Sequence, residues 1–417
     1  MPMQLSPDSQ AILLLTMRFS AAGRGKSWAP LTPLEYGRFA LWLQSEGWLP
    51  RDLLSRPKKV LQDWPDPTGK VPIERLEFLL DRGVAMGVAL EKWDGVGIWV
   101  LTRADAAYPR RLKSKLGTSS PAVLLGVGEP RLLSTRGVAI VGSRGLGAQE
   151  SAFTESVARV VAGCGFSVIS GGAKGADEIA MTSALGAQGT VVGVLAAGLM
   201  REATAKRWRQ GLRSGSLCLV STFYPEAPFQ VGNAMARNKY VYALAEAGVV
   251  VRSDRGRGGT WSGATEALKK GIAPVFVNPE PRDEGCAALV ELGARPFLTP
   301  EGEPLDPAWL ERRLSAVGMD GIPADSSSQV SEDARTTSAV PTDAEDPYQE
   351  FVQCVIAWIA EAGPLHRNEI IERSPGIPKG RIKRWLDQAV AEGGLHRPTR
   401  LAVYERRESG PTQVELF

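Results

Sequence analysis

Three short apolar segments, each ending in a glycine-rich or small-residue turn, constrain the fold of this chain more than any other feature. Val138–Val141 runs into Gly142-Ser143-Arg144, Phe166–Ser170 runs into a second glycine turn, and Thr190–Leu195 runs into a third. Helical patterns follow the first two turns. Short apolar runs that alternate with helical segments are typical of βαβ units on a parallel sheet. The sequence therefore predicts an α/β fold that binds its ligand at the carboxyl ends of these strands, where the turns fall.

The chemistry of the turns predicts an anionic ligand. Glycine lets the backbone approach a ligand closely, and the free amides at a helix start favour phosphate. The first turn lacks the G-x-G-x-x-G dinucleotide fingerprint, and the chain has no Walker loop. Glycine turns after strands are also common without any ligand. Arg144 and Lys174 at two strand ends favour the ligand, since a merely structural turn has no need of two cations.

Three ordered motifs stand out in this region: Ala139–Arg144, Ser170–Asp177 and Ala236–Asn238. Their order and spacing resemble the DprA (Smf) family of bacterial DNA-processing proteins. Upstream, Tyr108-Pro109 and Pro121–Gly126 match the family's approach to the first strand, so that about residues 98–280 are covered. The resemblance implies an extended Rossmann-like, mostly parallel sheet that binds single-stranded DNA without a cofactor. It further implies protection of the strand, loading of RecA recombinase in DNA uptake and recombination, and a homodimer.

The residues expected to contact DNA come from the glycine turns and from the helix that begins near Asn233. They are Gly142, Ser143, Arg144, Gly171, Gly172, Lys174, Gly175, Arg237, Asn238, Lys239 and Thr260. Arg237 and Lys239 are predicted in the first turn of that helix, where the macrodipole disfavours cations unless an anion is bound. The nearby Phe223, Tyr224 and Phe229 suit either base stacking or core packing.

Three positions depart from the family pattern. Met181 stands where the family usually has a histidine, and Lys239 stands in place of an arginine. The acidic residue that commonly ends the later strand is replaced by Val251-Arg252-Ser253-Asp254. These departures bear on the nucleotide contacts and suggest a divergent branch of the family.

The chain is expected to contain four segments and a tail. Residues 1–97 are predicted as a helical module, similar to sterile-alpha-motif or helix-hairpin-helix units, that either touches a DNA backbone or only packs. Residues 98–300 are predicted as the Rossmann-like domain, with an edge strand at Trp99–Leu101 and a last strand at Pro274–Val277. Residues 301–346 are predicted as an acidic disordered linker. Residues 347–407 resemble a winged-helix module, and residues 408–417 form a tail.

The charge distribution is typical of a nucleic-acid binder. Residues 319–346 carry seven acidic residues against Arg335, a net charge of −6, so from a total of +3 the rest of the chain carries +9. In the winged-helix module, Lys379, Arg381, Lys383 and Arg384 are secondary candidates for DNA contact, although many winged helices bind proteins instead. In the tail, Gln413, Leu416 and Phe417 resemble the short peptide that docks on the replication sliding clamp.

The residues favour binding over catalysis. The sequence shows no nucleophile–base pair, and four widely spaced cysteines with two histidines predict neither a disulfide framework nor a metal site. With no secretory signal and no apolar run of the ~18–20 residues that a membrane span requires, a cytoplasmic protein is expected. The alternative is an enzyme. Gly258-Gly259-Thr260 followed by Glu266 resembles nucleotide phosphoribohydrolases, in which Arg237 and Glu266 would handle a ribose phosphate.

Overall fold

The structure is a computed structural model of the chain. It describes residues 4–19, 28–279, 283–298, 306–319, 365–374, 395–396 and 403–406, with isolated positions between 352 and 390. These residues fall into two compact units, Met1–Ala324 and Asp325–Phe417. Each unit is described by itself.

Among residues 4–19 and 28–97, which the structure describes, six helices form the start of the first unit. They are α1 (Pro7–Thr16), α2 (Pro33–Ser45), α3 (Asp52–Ser55), α4 (Pro57–Leu61), α5 (Ile73–Leu80) and α6 (Gly83–Asp94). Capping side chains and prolines near the first residues determine where α1 and α2 begin. Ser6 accepts a hydrogen bond from the Ser9 amide before α1, and Thr32 and Glu35 form a capping box around Pro33 at α2. The start of α2 is where the sequence predicts it.

A nine-stranded sheet forms the centre of the first unit. Its strands are β1 (Trp99–Thr102), β2 (Val123–Gly128), β3 (Gly137–Val141), β4 (Ser167–Ser170), β5 (Thr190–Leu195), β6 (Leu217–Ser221), β7 (Ala247–Val250), β8 (Val275–Val277) and β9 (Arg295–Pro296). Their spatial order is β1-β2-β6-β5-β4-β3-β7-β8-β9. The β1–β2 and β2–β6 pairs are antiparallel, and all the others are parallel. The predicted α/β class with a mostly parallel sheet is confirmed, but β9 extends the sheet beyond the strand predicted to be its last.

Within the described part of this unit, nine α-helices connect or cover the strands. They are α7 (Arg110–Leu116), α8 (Ala148–Gly163), α9 (Ala176–Gly186), α10 (Leu199–Ala203), α11 (Arg209–Ser214), α12 (Val231–Leu244), α13 (Gly258–Lys270), α14 (Glu284–Glu291) and α15 (Pro307–Met319). Successive strand residues alternate between two apolar clusters. Ile140 and Val249 pack on one face of the sheet, while Ala139 and Val250 pack on the other. Both faces are therefore covered, as parallel sheets require.

The apolar cluster on one face of the sheet also contains the interior of the first six helices. Leu15, Phe39 and Trp93 belong to the same buried cluster as Ile140. Helix α15 joins it too, with Trp309 and Leu310 buried. The sequence assigns residues 307–319 to the disordered linker. Instead they form this packed helix, because its apolar side chains bury against the sheet domain. Residues 320–346 of the predicted linker lie outside the described residues.

The strand order places a topological switch point between β3 and β7. From β3 the chain proceeds through β4, β5 and β6 on one side, and β7 then returns to pair with the opposite side of β3. In open sheets of this kind, a crevice opens outside the carboxyl ends of the two strands where the order reverses. This crevice holds the candidate site.

The second unit is described in part. It contains a helix at Arg367–Glu372 and the strands β10 (Leu365–His366), β11 (Leu395–His396) and β12 (Val403–Arg406). Both β10 and β11 pair antiparallel with β12, and apolar residues such as Val355, Ile370 and Leu386 form its core. The winged-helix assignment stays a prediction.

Candidate nucleic-acid interface

Two clefts open at the carboxyl edge of the sheet. The switch-point cleft, of about 380 Å³, lies between the ends of β3 and β7 and the starts of α12 and α13. The outer cleft, of about 1050 Å³, lies over the ends of β4 and β5. Arg144, Ala173, Phe229 and Arg237 line both clefts. The two clefts therefore share one wall.

The structure brings most of the predicted DNA-contacting residues to these clefts. Gly142, Ser143, Asn238 and Thr260 line the switch-point cleft. The outer cleft is lined by Gly171, Gly172 and Lys174, and Arg144 and Arg237 line both. Gly175 and Lys239 line neither.

Lys239 faces another side of helix α12. It lines a separate cavity of about 420 Å³ together with Met17 and Tyr224, and its ammonium lies 5.2 Å from the centre of the Tyr240 ring. Burial lowers the pKa of Lys239, and Glu266 opposes that shift. Residues two apart on a helix do not share a face. The structure therefore places Lys239 on a different surface from Arg237, and the two residues do not line one site.

Arg237 is buried and lies in the middle of its helix, not in the first turn. Helix α12 begins at Val231, six residues before Arg237, so the prediction that placed Arg237 at a helix start is wrong. Its Nη1 donates a 2.8 Å hydrogen bond to the Val194 carbonyl at the end of β5. Burial raises the pKa of the nearby Asp177 carboxyl, and the Arg237 guanidinium opposes that shift. Arg237 thus connects helix α12 to the end of β5 by a hydrogen bond and favours the charged form of buried Asp177.

The glycines of the two turns make room for the protein's own atoms. A Cβ on Gly142 would lie 2.7 Å from the Ala176 Cβ, and one on Gly175, whose φ is +86°, would lie 2.6 Å from the Ser143 and Arg144 carbonyl oxygens. The turns after β3 and β4 therefore pack directly against each other at these glycines. The sequence assigns these glycines to close approach by a ligand, whereas this space is already filled by the protein.

Arg144 and Lys174 are the exposed cations of these turns. Within the described part of the chain neither forms an ion pair. Neighbouring arginines differ. Arg207 pairs with Glu178 and Glu202, and Arg252 pairs with Glu150. Their charges are largely neutralised by these carboxylates, whereas the charges of Arg144 and Lys174 are not.

Sequence reasoning missed Arg257 as a site residue and left the role of Phe229 open. Arg257 is exposed, lines the switch-point cleft and immediately precedes helix α13. A cation directly before a helix start can be recognised in the sequence, so Arg257 could have been predicted as a site residue. Phe229 is 55% exposed, and the Arg144 guanidinium lies 5.5 Å from its ring centre. Tyr224, by contrast, contacts Trp93 of α6 and donates to Glu226, and Phe223 lines the cavity of Lys239. Of the three predicted aromatics, Phe229 faces the clefts.

The start of helix α13 offers unpaired backbone amides to the switch-point cleft. Its N-cap residue Arg257 makes no side-chain capping bond, and Gly258, Gly259 and Thr260 line the cleft. Asn238 fixes this turn by donating a 2.8 Å hydrogen bond to the Gly259 carbonyl. Helix α8 differs, because the Glu150 carboxylate already accepts from the amide of its N-cap residue. An anion at this edge is therefore favoured at α13.

The arrangement required by the phosphoribohydrolase alternative is not present. Glu266 lies on α13, where it pairs with Lys270 at 2.6 Å, and it lines neither cleft. Arg237, the other residue of that alternative, lines both. The two residues are not brought to one site.

Two departures from the family pattern have clear positions. Met181 is fully buried on α9, and a Cβ on Gly193 of β5 would lie 2.8 Å from its Cε, so it fills the core. In the segment after β7, Ser253 and Asp254 line the switch-point cleft. The change at Met181 therefore affects packing, while the change after β7 affects the cleft.

The remaining candidate residues lie outside the described part of the chain. These are Lys379, Arg381, Lys383 and Arg384 of the second unit and Gln413, Leu416 and Phe417 of the tail. Among the described residues, no group of three or more His, Cys, Asp and Glu side chains is placed to hold a metal ion. No described helix is long and apolar enough to cross a membrane.

Comparison with known proteins finds a family model that matches the sheet domain. The family model of DNA recombination-mediator protein A matches residues 99–302. The DNA processing protein DprA of Bacillus subtilis is 28% identical over 211 residues, 49% of this chain and 70% of that protein. A putative DNA processing protein DprA of Mycobacterium tuberculosis is 32% identical over 183 residues, 42% of this chain and 46% of that protein.

Two solved structures are also similar. DprA from Streptococcus pneumoniae is 19% identical, with a TM-score of 0.54, over 74% of this chain and 98% of the other. DprA from Helicobacter pylori, described for its single-stranded DNA binding mode, is 24% identical, with a TM-score of 0.42, over 54% and 96% of the respective chains. The pneumococcal structure confirms the Rossmann-like fold.

Proposed function

We propose that this chain, a member of the DprA family of DNA-processing proteins, binds single-stranded DNA along the carboxyl edge of its sheet. The observation that carries the proposal is that Arg144 and Lys174 are exposed, form no ion pair with the described residues and line one cleft with the exposed Phe229 ring. Protection of the strand and its delivery to RecA recombinase complete the proposed role.

The electrostatic part of the proposal rests on neighbouring strand ends. Arg144 follows β3 and Lys174 follows β4, and these strands are adjacent and parallel, so the two cations project at the same edge. Arg257 adds a third charge beside the uncapped start of α13. Cations that neutralise phosphates release condensed counterions, which makes affinity fall with salt by a log–log slope of about 0.7 for each phosphate of a single strand.

The preference for a single strand rests on Phe229. Its ring is more than half exposed and forms the wall between the two clefts. Stacking of a base on an aromatic ring contributes about 1–3 kcal/mol and tolerates any base. In a duplex the base faces are already stacked, so this contribution is open only to single strands. We therefore expect little sequence preference.

Fluorescence anisotropy with a labelled oligonucleotide tests this function. We expect the chain to bind the single strand more tightly than the duplex, with affinity that falls steeply with salt. The Arg144→Glu and Lys174→Glu variants should bind much more weakly, and Arg144→Ala should lower the salt slope by about 0.7.

Arg159→Glu is the matched control for Arg144→Glu. Arg159 lies on helix α8, is paired with Glu155 and lines neither cleft, and its reversal changes the net charge by the same amount. Binding should survive this change. Wild-type affinity in the Arg144→Glu/Lys174→Glu double variant, with circular dichroism unchanged, would refute the proposed function.

The proposed partners follow from the family. RecA filaments should assemble faster on single strands carrying this protein, and the double charge-reversal variant should lose that effect. A homodimer should be visible by light scattering at micromolar concentration. The residues Gln413, Leu416 and Phe417 support docking of the tail on the sliding clamp, where the apolar pair would fill a pocket.

A further inference from the structure

The exposed apolar side chains of the first unit are concentrated in its helical module, the part that contains α1 to α6. Among the described residues, eight of the fourteen large apolar side chains that are exposed lie between Trp28 and Val88. Exposed apolar residues are ordinary when they are scattered singly, whereas grouped ones mark interaction sites. The helical module contains two such groups, and they differ in charge.

The first group lies on α5 and α6 among acidic residues. Val84 is 86% exposed, and Val88, one helical turn later, is 64% exposed. Exposed residues recur every three or four positions through both helices, which places them on one side of each helix. They are Glu74, Glu77, Phe78, Asp81, Val84, Val88 and Glu91, and together they are called the acidic face. None of its four acids forms an ion pair with another described residue.

Two glycines keep the acidic face open at Val84 and Val88. Gly83 and Gly87 have no positive φ, and a Cβ at either position would meet no atom within 4 Å. Neither the backbone conformation nor the packing of the chain therefore requires glycine there. Glycine in a helix lowers its stability, but it lets another surface approach the helix backbone closely.

The second group lies on α3 and α4 among basic residues. Leu49 and Leu54 are exposed, and the cations around them are Arg51, Arg56, Lys58 and Lys59. These six residues are called the basic face. Arg56 pairs with Asp52, whereas Lys58 and Lys59 form no ion pair with a described residue.

The two faces are complementary to each other. Each has exposed apolar side chains beside charges of one sign that are not neutralised within the described residues, and the signs are opposite. The acidic face is unsuited to DNA, because its carboxylates repel phosphates. Opposite charges across an interface favour association, and like charges oppose it. A second copy of this chain supplies the matching surface for each face.

We propose that the acidic face of one copy packs against the basic face of a second copy. Phe78, Val84 and Val88 would then be covered by Leu49 and Leu54 of the other copy, with carboxylates opposite the free lysines. The two faces consist of different residues, so one contact leaves a free face of each kind and further copies can add. The inference goes beyond the proposed function, since the contact forms without DNA. On a single strand, it makes neighbouring copies bind cooperatively.

Sedimentation velocity of the full chain at low salt, without DNA, tests the contact. The acidic-face variant is Glu77→Lys/Asp81→Lys, and the basic-face variant is Lys58→Glu/Lys59→Glu. Wild type should form species larger than a dimer as its concentration rises. Each variant alone should need about tenfold more protein or above to form them, because like charges then meet. An equimolar mixture of the two variants should restore the large species, because each supplies the face that the other lacks.

Two further variants serve as controls. Arg209→Glu/Arg213→Glu on α11 reverses two exposed cations, the same change of charge as in the basic-face variant, and should assemble like wild type. Val84→Ser/Val88→Ser keeps the charge and removes apolar surface. It should weaken assembly and leave the melting temperature unchanged, because both side chains are exposed.

Three results would overturn the inference. The first is a wild-type chain that sediments like both face variants at every concentration. The second is a mixture of the two variants that does not regain the large species. The third is loss of assembly in only one of the two variants, because that face would then contact a surface other than its proposed partner. No DNA is present, so these outcomes are independent of whether the chain binds single strands.

Discussion

Replacing Gly171 by alanine should displace Arg237 and damage both the sheet edge and the clefts. Gly171 follows β4 and has no positive φ, so its backbone conformation does not require glycine. Its space does, because an added Cβ would lie 1.6 Å from Arg237 Nη1. Glycine is needed at position 171 because the Arg237 side chain, sixty-six positions later in the chain, occupies the space of a Cβ, and not because of the conformation of the turn.

The expected cost follows from the same distances. Real Cβ atoms are essentially never closer than 3.0 Å to a neighbour, so the guanidinium must shift by about 1.4 Å from its place at 1.6 Å. Hydrogen bonds of this type span only about 2.7–3.2 Å, so a shift of that size breaks the bond to the Val194 carbonyl. It also moves the cation that balances buried Asp177. Loss of a hydrogen bond to a charged group costs about 1.5–3 kcal/mol, and the weaker attraction between Arg237 and buried Asp177 adds to that cost.

Urea denaturation measures this cost, and a neighbouring glycine supplies the control. At Gly145, in the turn after β3, a Cβ would have no atom within 4 Å, so Gly145→Ala should be neutral or slightly stabilising. DNA affinity should fall in Gly171→Ala and persist in Gly145→Ala.

A double-mutant cycle gives the sharper result. In an Arg237→Ala background the clash is gone, so Gly171→Ala should then cost almost nothing, and the two effects should be strongly non-additive. Additive costs, or a Gly171→Ala variant as stable as wild type, would refute the steric argument.

Two further predictions concern other parts of the chain. Burial lowers the pKa of Lys115 from 10.5 to about 8, with a smaller contribution from Arg111. Between these two pH values the unfolded chain binds more protons, so stability should rise with pH; Lys115→Met should be more stable at pH 7 and flatten that rise in urea denaturation from pH 7 to 10. In the tail, a peptide ending in Gln413–Phe417 should bind the host's sliding clamp in a calorimetric titration, and deleting Leu416 and Phe417 should abolish clamp pull-down by the full chain.

The position of the cationic edge could be predicted because the relevant rules are local. Each strand appears as a short apolar run, each turn as glycine and small residues, and parallel strands bring their carboxyl ends to one edge. Arg144 and Lys174 needed no further information, and the structure places both at the outer cleft. The α/β class followed from the same alternation of strands and helices.

The errors at Arg237 and Lys239 have a local cause. Helix α12 begins at Val231 after Gln230, and no side chain caps it, so the sequence shows no start signal there. The sequence pattern therefore places the helix start too late and assigns Arg237 to a first turn. Helical spacing alone would have separated Arg237 from Lys239, since residues two apart point to different sides.

The exposure of Phe229 and the residues that line the switch-point cleft are determined by contacts between distant segments of the chain. Tyr224 is held against Trp93 of the helical module, whereas Phe229, five residues later, is left exposed. No local pattern distinguishes the two rings. The space for Tyr242 likewise depends on glycines of β7 and α13 that only the folded sheet brings together.

The departure after β7 links the sequence to the chemistry of the cleft. Where the family commonly ends this strand with an acid, Ser253 is buried with an unpaired hydroxyl, and Arg252 turns to Glu150. A carboxylate in place of Ser253 would add a second buried negative charge to a cleft that buried Asp177 already lines, and it would repel a phosphate-bearing ligand. The hydroxyl avoids that repulsion and still offers a donor and an acceptor. The departure from the family pattern therefore changes the chemistry of the switch-point cleft, which Ser253 and Asp254 both line.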